Sequence, residues 1–496
     1  AAPISILPLF NLPLIFLLVR INSVANNSWL FASLAIGAGL SYGEQSAPED
    51  SCFANMWVLM MVGAAVAFLT LLPMIMTKYL IKFLKQNQFF NEKVLNSDEN
   101  NSYTTSQFYL FLFPALWTVT WSVFRRYIPL GSWGDWAYTV NNSGYSGDPI
   151  MQITSIGGLK TPHRLQYLED SNNNSKNIET LTVGCVLPPP GSNIKKMLKL
   201  TEILATQHNS KLILWSESAI DLRDSNELKE LLKNATALAI KNKSAIGFTY
   251  TISEGFKKKN MLTLIGPDGE KVFEYQKTHP VPIAEYSTES GPGGNLPIKN
   301  IKLHYKSSKD TMSINVSGAI CLDVDFPELL STAADADILL QPSQTWSSRI
   351  GLQHLRMAST RAIENGYWVL RCDGGGASGL IDPLGRIRHV EFSSEANNIF
   401  SFDLPLILIS NYDNDDEHIK DVKKIHTIYS KFGDLAISGC IISLFLLKVC
   451  WVALWSTRKP QMEEMWEYGT NAMNKAKEWA ILNYDQSFKN VENELT

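Results

Sequence analysis

The chain has 496 residues, 44 Lys and Arg against 48 Asp and Glu, and a formal net charge of −4, so it exceeds one ordinary domain and lacks the basic surplus expected of a nucleic-acid binder. Its six cysteines (Cys52, Cys185, Cys321, Cys372, Cys440 and Cys450) form no CxxC pair and no metal-ligand spacing. A zinc site is therefore not expected, and spacing alone reveals no disulfide pairing.

In chain order, apolar runs fall at about residues 4–19, 29–43, 56–76, 108–124 and 435–455. The last three approach the length needed to cross a hydrocarbon core of about 30 Å. The first is broken by Pro8 and Pro13 and the second by glycines, which makes them weaker spans; a buried core helix is the alternative for each. No small-residue cleavage site clearly follows the first run, and Ala1 in place of an initiator Met fits a processed or truncated start. Lys78, Lys82 and Lys85 follow the third run, and Arg458 and Lys459 follow the last, which places both flanks in the cytoplasm and the region between about 125 and 434 outside it. Arg125 and Arg126 count mildly against that orientation. Sequons at Asn141, Asn173, Asn234 and Asn242 hint weakly at a lumenal setting.

Residues 160–178, rich in Asn and Ser, read as a linker. From Ile178 the pattern becomes short apolar runs separated by amphipathic stretches. Strands are predicted over 182–187, 211–215, 245–252, 262–265, 271–275, 313–321, 338–341, 367–372 and 377–381, with helices over 193–207, 228–240 and 352–365. Pro267-Asp268-Gly269 predicts a hairpin turn, and Gly366 a helix C-cap. Strands alternating with helices imply an α/β domain of stacked layers.

Three polar residues sit at the ends of strand-like segments: Glu217 after Leu212-Ile213-Leu214-Trp215, Lys277 after Tyr275-Gln276, and Cys321 after Ala319-Ile320. A thiol must be deprotonated before it attacks, and a carboxylate beside a cation supplies both a proton acceptor and a field that favours thiolate and oxyanion. In that reading Glu217 is the general base, Lys277 the oxyanion stabiliser and Cys321 the nucleophile. The plainer alternative for Cys321 is an inert core thiol.

Glu, Lys and Cys in this order resemble the nitrilase superfamily, whose chemistry is acyl transfer through a thioester. Lys277-Thr278-His279-Pro280-Val281-Pro282-Ile283-Ala284-Glu285 resembles a segment of the apolipoprotein N-acyltransferases. So do the stretches Gln353–Ala358, Arg361–Gly366 and Ile381–Ile387, as well as Gly131–Tyr138 with Tyr145, and Pro149–Gly158. The resemblance implies a nitrilase-type αββα sandwich between N-terminal transmembrane helices and one C-terminal transmembrane helix. Its divisions are transmembrane helices over 1–130, an extracytoplasmic loop and linker over 131–177, the catalytic domain over 178–405, a connector over 406–433, a span over 434–456 and a cytoplasmic tail over 457–496. It further implies that Glu285 orients Lys277, that Trp346 is a mobile aromatic near the substrate entrance, and that Asp323 stands where Glu is common. Glu285 as a solvated loop acid and Trp346 as core packing are the alternatives. His354 reads as a structural helix residue, since the nitrilase mechanism needs no histidine.

Three departures bear on the substrate. A polar linker replaces two spans usual before the catalytic domain, Gln344-Thr345-Trp346-Ser347-Ser348 replaces Asn-Asp-Ala-Trp-Phe, and Leu322 follows the cysteine where an aromatic is usual. The resemblance implies an acyl group passing from a phospholipid to Cys321 and then to an amine, with a lipid-anchored protein or peptide as acceptor, a membrane as the setting and no metal or cofactor. A membrane-tethered amide hydrolase and a non-catalytic scaffold are the rivals.

Overall fold

The computed structural model describes residues 24–45, 56–86 and 464–478 nearly throughout, 180–405 apart from four short gaps (189–191, 283, 305–310 and 394–397), and isolated positions in 112–131 and 427–450. The chain divides into two units, residues 1–75 with 119–436, and residues 76–118 with 437–496. In the second unit, residues 466–478 are helical and mostly exposed. The first apolar run, most of the fourth and of the last, the linker and the stretches after Gly131 lie outside the described residues.

Two of the apolar runs are helices, α1 (Val24–Gln45) and α2 (Met56–Gln86). Within α2, Met56–Phe83 is long and apolar enough, by length and composition, to cross a membrane, whereas the apolar part of α1, Ser28–Leu40, is short of that. The two helices approach closely at Gly63, where a Cβ would stand 2.0 Å from the Ala35 carbonyl oxygen. Only glycine permits backbones to meet at that distance.

The central region is a two-sheet sandwich. One sheet runs β13-β1-β2-β4-β5-β6 with β3 beside β4, and the other runs β12-β11-β10-β9-β8-β7. The strands of the first are β1 (Thr180–Val186), β2 (Leu212–Trp215), β3 (Ile220–Leu222), β4 (Ala245–Glu254), β5 (Lys257–Ile265), β6 (Lys271–Gln276) and β13 (Ile399–Pro405). Those of the second are β7 (Lys299–His304), β8 (Thr311–Gly318), β9 (Ile338–Ser343), β10 (Trp368–Asp373), β11 (Ala377–Ile381) and β12 (Ile387–Phe392). The centres, β1-β2-β4 and β8-β9-β10, are parallel, and the flanks are antiparallel. Helices α3 (Ile194–Gln207) and α4 (Ser225–Asn242) cover the first sheet, and α6 (Ser348–Asn365) covers the second; the short α5 is Pro327–Ser331.

Strand periodicity explains the layering. Leu212 and Leu214 of β2 face the core between the sheets, while Ile213 and Trp215 face the helices, where Trp215 Nε1 donates to Thr201 Oγ1 at 2.8 Å. Helix α4 starts at Asp224, whose carboxylate accepts from the Asn226 and Glu227 amides. Helix α6 starts at Ser347 and ends at left-handed Gly366, the C-cap predicted from sequence, though it begins four residues earlier than expected. The hairpin after Ile265 is also where the turn residues put it. Strands β3, β7, β12 and β13 were not predicted. Strand β3 is short and β12 carries exposed polar residues, so their apolar signal is weak, whereas β13 alternates apolar and polar residues and its signal was missed.

One expectation is corrected, and one pairing that the spacing left open is observed. The strand predicted to reach Cys321 ends at Gly318, and Cys321 opens a 3-10 turn, Cys321–Asp325. Cys185 of β1 and Cys372 of β10 are disulfide-bonded, with Cα atoms 5.4 Å apart and a sequence separation of 187, so the bond ties one sheet to the other. Spacing could not show this, because the partners meet only when the sheets stack.

Candidate active site

Parallel strands deliver three of the site's elements at their carboxyl ends, the usual location for ligand sites in such sheets. Beyond β2 the chain turns through Ser216, Glu217 and left-handed Ser218, and the Thr249 hydroxyl holds the turn by donating to the Ser216 carbonyl and accepting from the Ala219 amide. Beyond β8 comes Cys321, with φ +46, a conformation an L-residue adopts at some cost and one that recurs at functional turns. Beyond β9 comes the loop holding Gln344, Thr345 and Trp346. Lys277 follows the antiparallel strand β6.

These pieces meet. Lys277 Nζ lies 2.6 Å from Glu217 Oε1 and 2.6 Å from Glu285 Oε2, with Lys277 and Glu217 both buried and Glu285 about one-fifth exposed (22 %). The Cys321 thiol is buried, and the charges of Glu217 and Lys277 act on it. Asn260 Nδ2 also donates to Glu217 Oε1 (2.9 Å), and the Gln344 amide donates to Oε2 (3.0 Å). Glu285 Oε2 further accepts from the Val281 amide at 2.5 Å, which closes the lysine loop on itself.

Asp323 sits between the lysine loop and the cysteine turn. Its Oδ1 accepts from the His279 amide (2.8 Å) and lies 2.9 Å from His279 Nδ1, and its Oδ2 accepts from Tyr275 Oη (2.8 Å) and the Ile320 amide (3.2 Å). The His279 ring stacks on Phe326 with centroids 3.5 Å apart. Trp346 is 43 % exposed, which rules out simple core packing.

The electrostatics suit proton exchange. Burial, only partly offset by Lys277, raises the Glu217 carboxyl above its ordinary value, and Glu285 adds to the rise. Burial would lower Lys277, but the fields of Glu217 and Glu285, joined by Cys321 once it is a thiolate, hold it above the lysine range, so it is a permanent cation. Burial and then Glu217 push the Cys321 thiol well up, while Lys277 and Arg371 pull it down. The resting site thus holds a neutral thiol beside a carboxylate of raised basicity and a fixed positive charge. Such a set can take a proton from sulfur as the sulfur attacks a carbonyl carbon, and can stabilise the resulting oxyanion. Among the described residues no cluster of His, Cys, Asp and Glu has metal-site geometry.

Asn260, Tyr275, His279, Arg371 and the Gln344 amide were not singled out from sequence. A polar signal existed for one of them: Arg371 with Asp373 brackets Cys372 in the otherwise apolar Trp368–Cys372, whereas Asn260 only ends the polar run Lys257-Lys258-Lys259. The Gln344 amide has no sequence signal, since any residue supplies one.

Residues 182–412 match the carbon-nitrogen hydrolase family, and the central region has a nitrilase-type α/β fold. An apolipoprotein N-acyltransferase of Rickettsia bellii is 27% identical over 251 residues, which is 48% of this chain and 47% of that protein. One of Pseudomonas paraeruginosa is 49% identical over 72 residues, 14% of each chain. An amidase from Nesterenkonia sp. of known structure is similar over 49% of this chain and 94% of its own, with 17% identity and a TM-score of 0.38. The chain spans about half the length of the curated relatives it matches first.

Proposed function

We propose, from the premise of a carbon-nitrogen hydrolase domain similar to apolipoprotein N-acyltransferases, that the protein is a membrane-bound N-acyltransferase working through a thioester on Cys321. The observation that carries the reading is the convergence of buried Glu217 and Lys277 with Cys321 at a left-handed turn. Glu217 takes the thiol proton as sulfur attacks the ester carbonyl of a phospholipid. Lys277, oriented by Glu285, stabilises the tetrahedral oxyanion. The lysophospholipid alkoxide leaves with the proton returned by Glu217, and the acyl group remains on sulfur. An amine, the N-terminus of a lipid-anchored protein or peptide, then attacks the thioester with Glu217 again as base, which restores the thiol. Trp346, on the loop that also contacts Glu217, shields the thioester from water.

The setting is a bilayer, with the catalytic domain outside the cytoplasm. The apolar segment Met56–Phe83 supports an anchor: its 28 residues extend about 42 Å as a helix, and it exposes Trp57, Met60, Met61 and Phe68. The Cys185–Cys372 disulfide supports the sidedness, because such bonds persist in oxidising compartments. Under this proposal the segments before residue 130 and over 434–456 anchor residues 178–405, and residues 457–496 face the cytoplasm.

Mass spectrometry of the protein purified from membranes tests the reading. A fatty acyl group on Cys321, with lysophospholipid released in one burst and sustained turnover only after an amine is added, is expected. Continuous release of free fatty acid without an amine makes the protein a hydrolase, and no acylation by any phospholipid overturns the phospholipid-donor reading.

A further inference from the structure

We propose that Arg371, wholly buried on β10, is a positioning residue for the acyl transfer: its guanidinium ties the loop after β9, which contacts Glu217, to the turn that carries Cys321. The inference rests on the reading of Cys321 as nucleophile. Side chains alternate along a strand. Cys372 points across the sandwich to its disulfide partner in β1, so Arg371 and Asp373 point the other way, toward α6 and His354.

Every arm of the guanidinium is engaged. Nη2 donates to Asp373 Oδ2 (2.6 Å), Nη1 to Ser343 Oγ (2.8 Å) and Nε to the Ala377 carbonyl (3.0 Å). Nη1 also lies 3.2 Å from His354 Nδ1. A guanidinium only donates, so Nδ1 accepts and the proton of the neutral ring sits on Nε2, the nitrogen 3.3 Å from Asp325 Oδ2. Asp325 is the last residue of the Cys321–Asp325 turn.

On the other side, Asp373 holds the loop. Its Oδ1 accepts from the Thr345 and Gly375 amides (2.9 and 3.2 Å), and its Oδ2 accepts from Thr345 Oγ1 (2.8 Å). Thr345 follows Gln344, whose amide donates to Glu217 Oε2. Ser343, held by Arg371, offers its carbonyl to the Glu217 amide at 3.2 Å. Both contacts between this loop and Glu217 are therefore one residue or none from an Arg371 or Asp373 tether. The segments are pressed together tightly enough that a Cβ on Gly375 would stand 1.8 Å from the Thr345 carbonyl oxygen.

The charges bearing on Cys321 are Glu217, Lys277, Arg371 and Glu285, and Arg371 favours its thiolate. Asp373 offsets the Arg371 charge. Removing one member or the other should therefore shift thiol reactivity in opposite directions, which a merely structural role would not do.

The test uses the full chain in phospholipid nanodiscs, following alkylation of Cys321 by iodoacetamide against pH by peptide mass spectrometry, with acyl transfer measured in parallel. Asp373→Asn is expected to lower the alkylation midpoint by about half a pH unit or more, and Arg371→Met to raise it by a similar amount. Arg371→Lys keeps the charge and loses the fork, so its midpoint stays near the wild-type value while kcat falls about tenfold with KM little changed. Shifts of the same sign in Asp373→Asn and Arg371→Met, or no shift in either, overturn the proposal. Should Arg371→Met not fold, the remaining pair decides: an unshifted Asp373→Asn or a fully active Arg371→Lys overturns it. Retained turnover in Cys321→Ala beside the opposed midpoint shifts would sink the thioester reading and leave the Arg371 tether standing as a structural tie.

Discussion

Glu217 and Asp373 are both buried carboxylates paired with a cation at 2.6 Å, yet their proton affinities move in opposite directions. Burial pushes both up. Around Asp373 the Arg371 fork, two backbone amides and the Thr345 hydroxyl outweigh that push, and the carboxyl falls below its ordinary range. Glu217 must share Lys277 with Glu285, and its carboxyl ends above its ordinary range. An ion pair with a matched set of donors is locked as a charge, whereas a cation divided between two acids leaves one of them able to trade a proton. On this contrast the first cluster is the one suited to exchange a proton and the second the one suited to hold shape.

The largest expected effect falls on the reactive side. Cys321→Ala should remove acyl transfer entirely while thermal unfolding of the protein stays near wild type, because one thiol contributes little packing. Retained turnover in a phospholipid-to-peptide assay would dissolve the contrast. Glu217→Gln should reduce the acylation burst by about 10²- to 10⁴-fold, the usual range for a general base. Lys277→Met should cost about 10²-fold or more, with slow acylation recovering at raised pH, since the base survives and the oxyanion partner does not.

On the locked side the effect should be on stability. Arg371→Ala strands the Asp373 charge in the interior and should cost about 3–5 kcal/mol, read as a lowered denaturation midpoint. The opposite pKa directions also predict opposite pH dependences. Asp373, depressed in the fold, stabilises above its ordinary value of 3.8 and loses that contribution as pH falls through the folded pKa below it. Wild type minus Asp373→Asn should therefore narrow on acidification below about pH 4. Glu217, raised in the fold, contributes most below its ordinary value of 4.5 and progressively less as pH rises through its folded pKa. Wild type should lose stability relative to Glu217→Gln as pH rises above about 4.5. Parallel pH trends for the two variants would erase the distinction.

Glu285→Gln should have the mildest phenotype of the residues around Lys277. It is about one-fifth exposed, so solvent screens part of its charge, and glutamine can still accept from the Val281 amide. A reduction in turnover of roughly tenfold with unchanged unfolding is expected; a loss as large as that of Glu217→Gln would show that the shared cation matters less than Glu285 itself.

Glu285, Asp323 and Trp346 were named only through the family resemblance, whereas Glu217, Lys277 and Cys321 could be picked out in sequence because polar side chains at the ends of apolar strand runs are local patterns. The same is true of the main parallel strands, helices α3, α4 and α6, the Gly366 cap and the hairpin turn, each of which rests on periodicity or turn chemistry within about twenty residues. What sequence left undecided depends on partners far apart in the chain. Edge strand β12 has weak periodicity and forms because a neighbouring strand offers hydrogen bonds, whereas β13 alternates buried and exposed residues and carried a readable signal that was missed. Asn260 and the Gln344 amide acquire their meaning only at 2.9 and 3.0 Å from Glu217. Stacking of the two sheets joins Cys185 to Cys372 and sets Arg371 between Asp373 and His354. The candidate side chains at the strand ends were thus legible from local order, whereas their proton affinities were decided by the tertiary structure, because burial and the sharing of a cation are properties of neighbours in space.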